Sequence, residues 1–336
     1  MRAMVTVAHG DRSQLVLRSD YPDPVPGPDE VVLRVAATAI NYHDVFTRRG
    51  MPGIKIPLPV IVGSDIAGVV VGVGSGVPGW KPDDRVLVDP VIRDGKHFGM
   101  IGEVLDGGRA EYVKVPASTL IPVPNEVSLE HAASLPLAYG TAYRMMITRG
   151  RVQAGERVLV LGASGGVGVA CVQLAKQLGA EVMACASSAS KLDRLKTLGA
   201  DHGVNYSETK FVDRVREVYG KPRITGGGGV DVVVNFTGGD TWLETQKCTR
   251  VGGRILTCGA TAGFNLVTDA RYLWTYEQEM IGSNGWTAAD LVELMNLIRT
   301  GQLIPAIDKV LTLEETAEGE RMLEDREVFG KILIKP

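Results

Sequence analysis

Four glycines between residues 162 and 168 form the pattern of this sequence that most directly indicates chemistry. The segment LVLGASGGVGVACVQLA places Gly162, Gly165, Gly166 and Gly168 between an apolar run and a helical pattern. Glycines at such a turn allow a tight bend, a close approach of phosphates to the backbone, and close packing of helix on strand. The N–H groups at a helix N-terminus attract phosphate. The spacing therefore predicts a dinucleotide site; the alternative is a glycine-rich turn that binds no ligand.

The end of the next predicted strand indicates which dinucleotide is bound. An NAD site normally carries Asp or Glu there, about 20 residues beyond the glycines, to bind the ribose 2′-hydroxyl. Here Ala186–Ser188 carries no carboxylate; Ser187 and Ser188 offer hydroxyl donors, and Lys191 and Arg194 add positive charge. These residues suit a 2′-phosphate, so the sequence predicts NADP(H) rather than NAD(H). The alternative is that Lys191 and Arg194 only form the solvated face of a helix.

The glycine turn lies within a regular alternation of strand and helix patterns. From residue 157 to residue 301, about six apolar strand patterns alternate with helical ones, which predicts βαβ units and one parallel sheet. Residues 1–125 show short strands separated by Pro and Gly turns, and residues 301–336 return to mixed short elements and end in FGKILIKP. We predict an α/β fold, in which a Rossmann doubly wound parallel sheet at 126–285 is inserted into a β-rich domain of residues 1–125 and 286–336.

Three helix predictions bear on this organisation. The segment NYHDVFTRR predicts a short helix within Asn41–Arg49 of the β-rich part. Ser128 is a predicted N-cap of the helix that leads towards the Rossmann domain. The segment WLETQKCTRVG predicts a helix over 242–252, followed by the strand GRILTCGA.

The composition excludes several classes of protein. The 336 residues hold 36 Lys and Arg against 39 Asp and Glu, and without a basic block this balance predicts no nucleic-acid partner. No segment approaches the about 18 apolar residues of a membrane helix, and the N-terminus has no apolar signal core, so no membrane partner and a cytoplasmic location are expected. The four cysteines form no C-x-x-C pair and lie on predicted Rossmann elements, as expected of buried, inert thiols.

The order of these segments resembles the medium-chain dehydrogenase/reductase superfamily over essentially the whole chain. The resemblance is carried by AINYHD, PVIVGSDIAGVVVGVG, GGRAEYVKVP, LPLAYGTAY, LGADHGVNY, VDVVVNFTGG and FGKILIKP, together with the glycine turn. It implies that the β-rich domain is GroES-like and catalytic, and that a hydride passes between nicotinamide and a small carbonyl or conjugated substrate. It also implies a homodimer, with a tetramer as the alternative, formed along the edge strand in EMIGSNG.

Zinc alcohol dehydrogenases and zinc-free reductases of this superfamily differ at positions that can be named. Zinc members carry Cys at the position of Asn41, Gly-His-Glu at Gly63–Asp65, and a further ligand near Leu137. A catalytic zinc needs about three N, S or O side chains. Of the residues at these positions, only Asp65 could bind zinc. The resemblance therefore implies a zinc-free, quinone oxidoreductase-like protein. Asp65 itself is predicted to be structural.

A second loop of zinc relatives carries cysteines that hold a structural zinc. Asp94, His97 and Met100 stand at the matching places of this sequence. We predict no zinc there either; the alternative is weak metal binding by Asp94 and His97.

Zinc-free relatives share with this chain Asn at position 41, Ser and Lys after the second Rossmann strand, and Tyr in the LGAD segment. Zinc-free relatives of this kind are quinone oxidoreductase-like proteins and enoyl or enone reductases. The predicted cofactor-binding residues are Thr141, Gly162, Ser164, Gly165, Gly166, Val167, Ser187, Ser188, Lys191, Tyr206, Thr237, Gly259 and Ser283.

Asn41, Tyr42 and His43 are the predicted catalytic residues. The resemblance implies that their segment forms the floor of the substrate cleft, where hydrogen-bond donors can stabilise charge on a substrate oxygen without a metal. His43 matches the place where zinc alcohol dehydrogenases keep a hydroxyl residue of a proton relay, and imidazole titrates near neutral pH. The alternative is a structural His43, with Asp44 fixing the local turn.

Three functions remain open from the sequence. The first is NADPH-dependent reduction of an activated double bond in an enone, quinone or enoyl thioester, which the missing zinc ligands favour. The second is a zinc-free alcohol dehydrogenase or carbonyl reductase on the same scaffold. The third is a protein that binds NADPH without turnover.

Overall fold

The structure, a computed structural model, describes residues 1–51, 55–93 and 98–336. These residues form two units. Unit 1 consists of Met1–Ala138 and Leu291–Pro336, and unit 2 is the continuous segment Tyr139–Asp290.

Strands dominate the first 125 residues, and strands alternate with helices from Arg157 onward. The strands are β1 (Ala3–Thr6), β2 (Leu15–Arg18), β3 (Glu30–Ile40), β4 (Val60–Ile61), β5 (Asp65–Val73), β6 (Arg85–Val88), β7 (Val91–Arg93), β8 (Phe98–Met100), β9 (Tyr112–Pro116), β10 (Leu120–Pro122), β11 (Arg157–Val160), β12 (Glu181–Ala186), β13 (His202–Asn205), β14 (Val230–Val234), β15 (Thr249–Thr257), β16 (Glu279–Gly282), β17 (Ile307–Thr312) and β18 (Lys331–Lys335). The helices are α1 (Tyr42–Arg49), α2 (Leu129–Ala133), α3 (Thr141–Tyr143), α4 (Gly166–Gln177), α5 (Ala189–Thr197), α6 (Phe211–Tyr219), α7 (Thr241–Gln246), α8 (Ala270–Thr275), α9 (Ala288–Arg299) and α10 (Thr316–Glu324). Single 3-10 turns lie at Arg12–Gln14 and Ala117–Thr119, and π-helical turns at Leu135–Gly140 and Arg144–Arg149.

Unit 1 is organised around the long strand β3. The main sheet runs in the order β10-β6-β5-β3-β18-β17, and β9 also pairs with β3. Val31, Leu33 and Ile66 are fully buried in its core, as the alternation of apolar residues requires. β18 runs antiparallel to β3, with Leu333 opposite Ala39. The tail of the chain therefore folds back onto the N-terminal strands, as predicted.

α2 explains why unit 1 extends beyond residue 125. The hydroxyl of Ser128 accepts the N–H of His131 at 3.1 Å, which confirms the predicted N-cap. α2 then packs against β3 and β5. The division of the chain accordingly lies at 138/139, later than the predicted 125/126, and the second division lies at 290/291, within α9, rather than at 285/286.

Unit 2 is a six-stranded sheet in the order β13-β12-β11-β14-β15-β16. Every neighbouring pair in it is parallel. Leu159, Val233 and Ile255 are fully buried, as expected of strands covered on both faces. This strand order is that of a doubly wound dinucleotide-binding fold, so the predicted Rossmann sheet is confirmed.

One predicted helix is shorter than expected. The sequence predicted a helix over 242–252, but α7 ends at Gln246 and β15 begins at Thr249. Thr249 pairs with Val230 of β14, and Gly252 has a left-handed φ of +67°, which no helix contains. Strand pairing therefore outweighs the helical pattern after residue 248.

Cys171, Cys185 and Cys248 are buried, as predicted, whereas Cys258 is only half-buried. Burial raises the pKa of the thiols of Cys171, Cys185 and Cys248 above the ordinary value, and raises that of Cys258 to about 12. A raised pKa favours the neutral thiol, which is a poor nucleophile. Among the helices of the described residues, none has the length and apolar character that crossing a membrane requires.

Candidate functional site

The glycine turn of unit 2 joins the end of β11 to the start of α4. Gly162 has a φ of +63°, which favours glycine. A Cβ on Gly168 would lie 2.2 Å from the carbonyl oxygen of Gly162, so helix and turn are closer than a side chain permits. A Cβ on Gly165 would meet only that same oxygen, at 3.7 Å. Gly168 therefore serves the packing of the protein, whereas Gly165 leaves open space beside the backbone.

The N-terminus of α4 suits the pyrophosphate of a dinucleotide. Gly165 is the N-cap and has no side chain to satisfy the first N–H groups of the helix. Ser164, Gly166 and Val167 beside it are half-buried rather than enclosed. Backbone N–H groups and the helix dipole favour an anion at such a place. The open cradle at Gly165 therefore fits a dinucleotide, with these four residues as the ones that would hold its phosphates.

The residues predicted for the 2′-phosphate gather at the ends of β12 and β13. Ser187 and Ser188 directly follow β12, and the N–H of Tyr206 donates to Ala186 O at 3.1 Å. The Tyr206 side chain is 47% exposed. The hydroxyl of Ser188 accepts the N–H of Lys191 at 3.4 Å, so this serine also caps α5. Hydroxyls, a helix N-terminus and a lysine thus share one end of the sheet.

Three other predicted cofactor residues follow the ends of β14, β15 and β16: Thr237, Gly259 and Ser283. Carboxyl ends of parallel strands lie at one edge of a sheet, so these residues share that edge with the glycine turn. The buried amide of Asn235, which the sequence analysis missed, accepts the N–H groups of Thr237 and Gly238 at 3.0 Å each. Thr141 lies elsewhere in unit 2, at the start of α3, which packs against α4.

In unit 1, α1 carries the predicted catalytic residues. Asn41 is its N-cap, and the Asn41 N–H donates to the carboxylate of Asp44 at 2.8 Å. The Asn41 side chain is buried: its Nδ2 donates to Asp65 Oδ2 at 2.9 Å, and its Oδ1 accepts from Lys331 Nζ. Asn41 thus holds Asp65 and Lys331 in place. The ring of Tyr42 packs edge-on against Phe46, with centroids 5.1 Å apart.

Asp65, Lys331 and Asn41 form a buried ammonium cluster. Asp65 is completely buried and Lys331 is 2% exposed. Lys331 Nζ lies 3.1 Å from Asp65 Oδ2, and the N–H of Leu137 donates to Asp65 Oδ1 at 2.8 Å. Both carboxylate oxygens are therefore occupied, which a buried charge requires.

This donor set does not fit a catalytic zinc. Asn41, Ser64 and Leu137 stand where zinc relatives carry ligands, and the Asp65 carboxylate already binds the Lys331 ammonium. Zinc sites need about three available N, S or O ligands. In the described ranges, no three His, Cys, Asp or Glu side chains converge as a metal site.

The loop that holds a structural zinc in zinc relatives, where we predict none, corresponds to Asp94, His97 and Met100. Asp94 and His97 lie outside the described residues. Met100 ends β8, opposite Val91 of β7.

His43 is paired with a carboxylate that the sequence analysis missed. Its Nε2 lies 2.5 Å from Glu103 Oε1, and the Thr47 hydroxyl lies 3.5 Å from the same oxygen. Burial lowers the pKa of the imidazole, but the hydrogen bond and charge of Glu103, with Asp44 and Asp65 adding to them, raise it above its ordinary value. The His43 side chain remains 28% exposed, so a partly accessible imidazole contacts a largely buried carboxylate through Nε2.

Asp44 accepts the Asn41 N–H at the start of α1, which agrees with the turn-fixing role that the alternative gave it, and it also belongs to a second buried ionic network. Arg109 donates to Asp44 at 3.1 Å and to Glu320 at 2.5 Å, and Arg48 donates to Glu320 at 2.6 Å. Burial raises the pKa of Asp44 although Arg109 opposes it. Burial also opposes ionisation of Glu320, but the two guanidinium groups hold its pKa below the ordinary range. The network ties α1 to α10 and so fixes the helix that carries His43.

The strand order of unit 2 and its glycine turn define a dinucleotide-binding fold. Two family models match the sequence: an alcohol dehydrogenase GroES-like domain at residues 27–125 and a zinc-binding dehydrogenase at residues 166–300. The chain belongs to the medium-chain dehydrogenase/reductase superfamily.

Individual relatives match over nearly the full length. An acryloyl-coenzyme A reductase of Sulfurisphaera tokodaii is 32% identical over 94% of this chain and 95% of its own. A solved structure of an NAD-dependent alcohol dehydrogenase is 38% identical, with a TM-score of 0.92 over all of both chains. The structure of the 2-octenoyl-CoA carboxylase reductase CinF in complex with NADP and 2-octenoyl-CoA is 31% identical, with a TM-score of 0.86 over 99% of this chain and 87% of its own.

Proposed function

We propose that this protein is a zinc-independent, NADPH-dependent reductase of activated carbon–carbon double bonds, in enones, quinones or enoyl thioesters. The observation that carries the proposal is the Asp65 carboxylate. It is the one possible ligand left among the positions that distinguish zinc relatives, and it is held by the Lys331 ammonium and by the Asn41 amide. The similarity to an acryloyl-coenzyme A reductase and to a reductase in complex with 2-octenoyl-CoA supports the substrate class.

In this proposal, each unit contributes a different function. Bound NADPH would supply the hydride. Unit 2 holds the nucleotide through the turn at Gly162–Val167 and the serines after β12. Unit 1 supplies hydrogen-bond donors on α1, of which His43 is the one that can exchange a proton near neutral pH. Reduction of a double bond needs both a hydride and a proton. In this proposal the nucleotide held by unit 2 supplies the hydride, and His43 supplies the proton.

NADPH is expected to bind more tightly than NADH, because no carboxylate follows β12 and serines, Lys191 and a helix N-terminus do. Ser187→Asp should lower the preference for NADPH over NADH by at least about ten-fold. A carboxylate there repels the 2′-phosphate of NADPH and accepts a hydrogen bond from the ribose 2′-hydroxyl of NADH. Ser187→Ala adds no charge and should still prefer NADPH. Fluorescence titration with both nucleotides measures the dissociation constants. Equal or tighter NADH binding by the wild type would refute the cofactor proposal.

The reaction itself is tested by product analysis. Protein treated with a chelator, and assayed for residual zinc, is given NADPH and an α,β-unsaturated ketone. We expect the saturated ketone, in amounts equal to the NADPH oxidised, with zinc far below stoichiometric. Activity that disappears on chelation and returns with added zinc would overturn zinc independence.

The second candidate function is a carbonyl reductase or alcohol dehydrogenase on the same scaffold. The likeness to the structure named as an NAD-dependent alcohol dehydrogenase, at 38% identity, favours it. In the same assay it would give the allylic alcohol. NADPH binding without oxidation by enones, quinones, aldehydes or alcohols would instead indicate a protein without turnover.

The proposal includes a homodimer in the cytoplasm, with a tetramer as the alternative. β16 is an edge strand of the sheet of unit 2, and its outer residues Glu279 and Gly282 are exposed. An edge strand offers unpaired N–H and C=O groups to a second copy.

A further inference from the structure

We infer that Glu103 is a positioning residue that holds the His43 imidazolium as the proton donor of the reduction. The inference rests on the proposed function. It is carried by the 2.5 Å contact between His43 Nε2 and Glu103 Oε1, which joins residues 60 positions apart in the chain. The Thr47 hydroxyl lies 3.5 Å from the same carboxylate oxygen and donates to the carbonyl oxygen of His43 at 3.1 Å. Ring, helix turn and carboxylate are thus mutually connected.

Glu103 lies on a turn that cannot readily move. Its N–H donates to Met100 O at 3.0 Å, and the turn closes with Gly102 N donating to Leu105 O at 2.8 Å. A Cβ on Gly102 would lie 3.0 Å from the backbone of Gly63. The Glu103 side chain is 10% exposed. Because backbone packs directly on backbone here, the carboxylate has a fixed position from which it orients the ring.

Because Nε2 of His43 is bonded to Glu103, Nδ1 is the ring nitrogen that can donate to a substrate. Both ring nitrogens donate in an imidazolium; Nε2 donates to Glu103, and the side chain is 28% exposed. Three carboxylates act on the ring: Glu103 from the turn after β8, Asp44 from α1 and Asp65 from β5. The last two are themselves ion-paired with buried cations, whereas Glu103 bonds the ring directly. Glu103 is therefore the group that most strongly favours the charged form.

The proton transfer balances the hydride transfer. When a hydride adds to the β-carbon, the π electrons move towards the α-carbon and the carbonyl oxygen. The Nδ1–H bond of His43 breaks, its proton forms the new bond at the α-carbon, and the electron pair remains on the ring. Neutral imidazole then takes a proton from water. The reaction consumes one NADPH and one proton for each double bond.

Glu103→Gln tests the inference because it keeps the shape of the side chain and removes its charge. Without that charge the imidazolium loses its proton at lower pH, so kcat/KM with an enone at pH 8 should fall about ten-fold while the value at pH 6 is retained. The imidazole titration of His43, followed by NMR without substrate, should move to lower pH in parallel. Glu111→Gln, a carboxylate paired with Arg2, is the matched control and should change neither profile.

Three outcomes would overturn the inference. The first is an unchanged His43 titration in a folded Glu103→Gln protein, which would show that Glu103 does not hold the charge. The second is a proton that comes from elsewhere. Either of two results would show it: a shifted His43 titration with an unshifted activity profile in Glu103→Gln, or a His43→Gln protein whose turnover stays within two-fold of wild type. The third is a wild type that reduces no double bond. In that case the NMR titration of His43 in the wild type and in Glu103→Gln still shows whether Glu103 holds the imidazolium. Failure of the proposed function is therefore distinguished from failure of the His43–Glu103 contact.

Discussion

Gly165→Ala is expected to yield a folded protein that binds NADPH at least about ten-fold more weakly, a loss of about 1.4 kcal/mol. Gly165 adopts φ −81° and ψ 173°, which alanine also adopts. Its new Cβ would meet a single protein atom, at 3.7 Å, so folding has little reason to suffer. The methyl group would instead stand in the space through which a pyrophosphate approaches the backbone.

Gly168→Ala is the matched comparison, three residues further along the same turn. Its Cβ would lie 2.2 Å from Gly162 O and 2.6 Å from the Cα of Ala163. Backbone atoms cannot rotate away, so helix and turn must separate, at about 1–3 kcal/mol of unfolding free energy. Thermal unfolding without nucleotide and a fluorescence titration with NADPH separate the two effects. A Gly165→Ala protein with wild-type affinity would contradict the assignment of this turn to phosphate binding.

Lys331→Met is expected to lower the free energy of unfolding by about 3–5 kcal/mol, because it leaves the Asp65 carboxylate buried without its cation. Two neutral donors would remain, the Asn41 amide and the Leu137 N–H. Hydrogen bonds alone compensate a buried charge only in part. Urea unfolding measures the loss.

Two variants decide whether the loss comes from the buried pair. Lys335→Met removes a half-exposed lysine from the same strand and should change stability little. Lys331→Met combined with Asp65→Asn removes both charges and should be more stable than Lys331→Met alone, since no unpaired charge remains. Equal stabilities for the single and double variants would show that the ion pair is not what stabilises the site.

The parts of the site that rest on local pattern could be predicted from the sequence. The glycine turn, the strand before it and the helix after it are neighbours in the chain, and the alternation from residue 157 onward predicted the parallel sheet. Likewise the short helix α1 was predicted from the nine consecutive residues Asn41–Arg49, although its N-cap was not.

The partners of these residues could not be predicted in the same way. Glu103 and His43 meet across 60 residues, and neither residue type signals the other. Lys331 did carry a signal: a lysine at the start of the apolar run KILIK is an unusual residue for a strand buried on both sides. What the sequence could not supply is its counter-charge, because the pairing of β18 with β3, and not a local motif, brings Lys331 to Asp65.

The return of β18 to β3 also has a consequence for biosynthesis. Asp65 and Lys331 are 266 residues apart, so at the usual rates of translation the carboxylate precedes its cation by roughly 13–53 seconds. Unit 2 is continuous and can complete its sheet on the ribosome, while residues 38–40 of β3 still lack the neighbour that β18 supplies. A nascent chain therefore carries an open strand edge and a solvated Asp65 until β18 emerges. Chaperone binding during this interval would fall on unit 1, and a chain that stalls before Lys331 would never close the buried ammonium cluster.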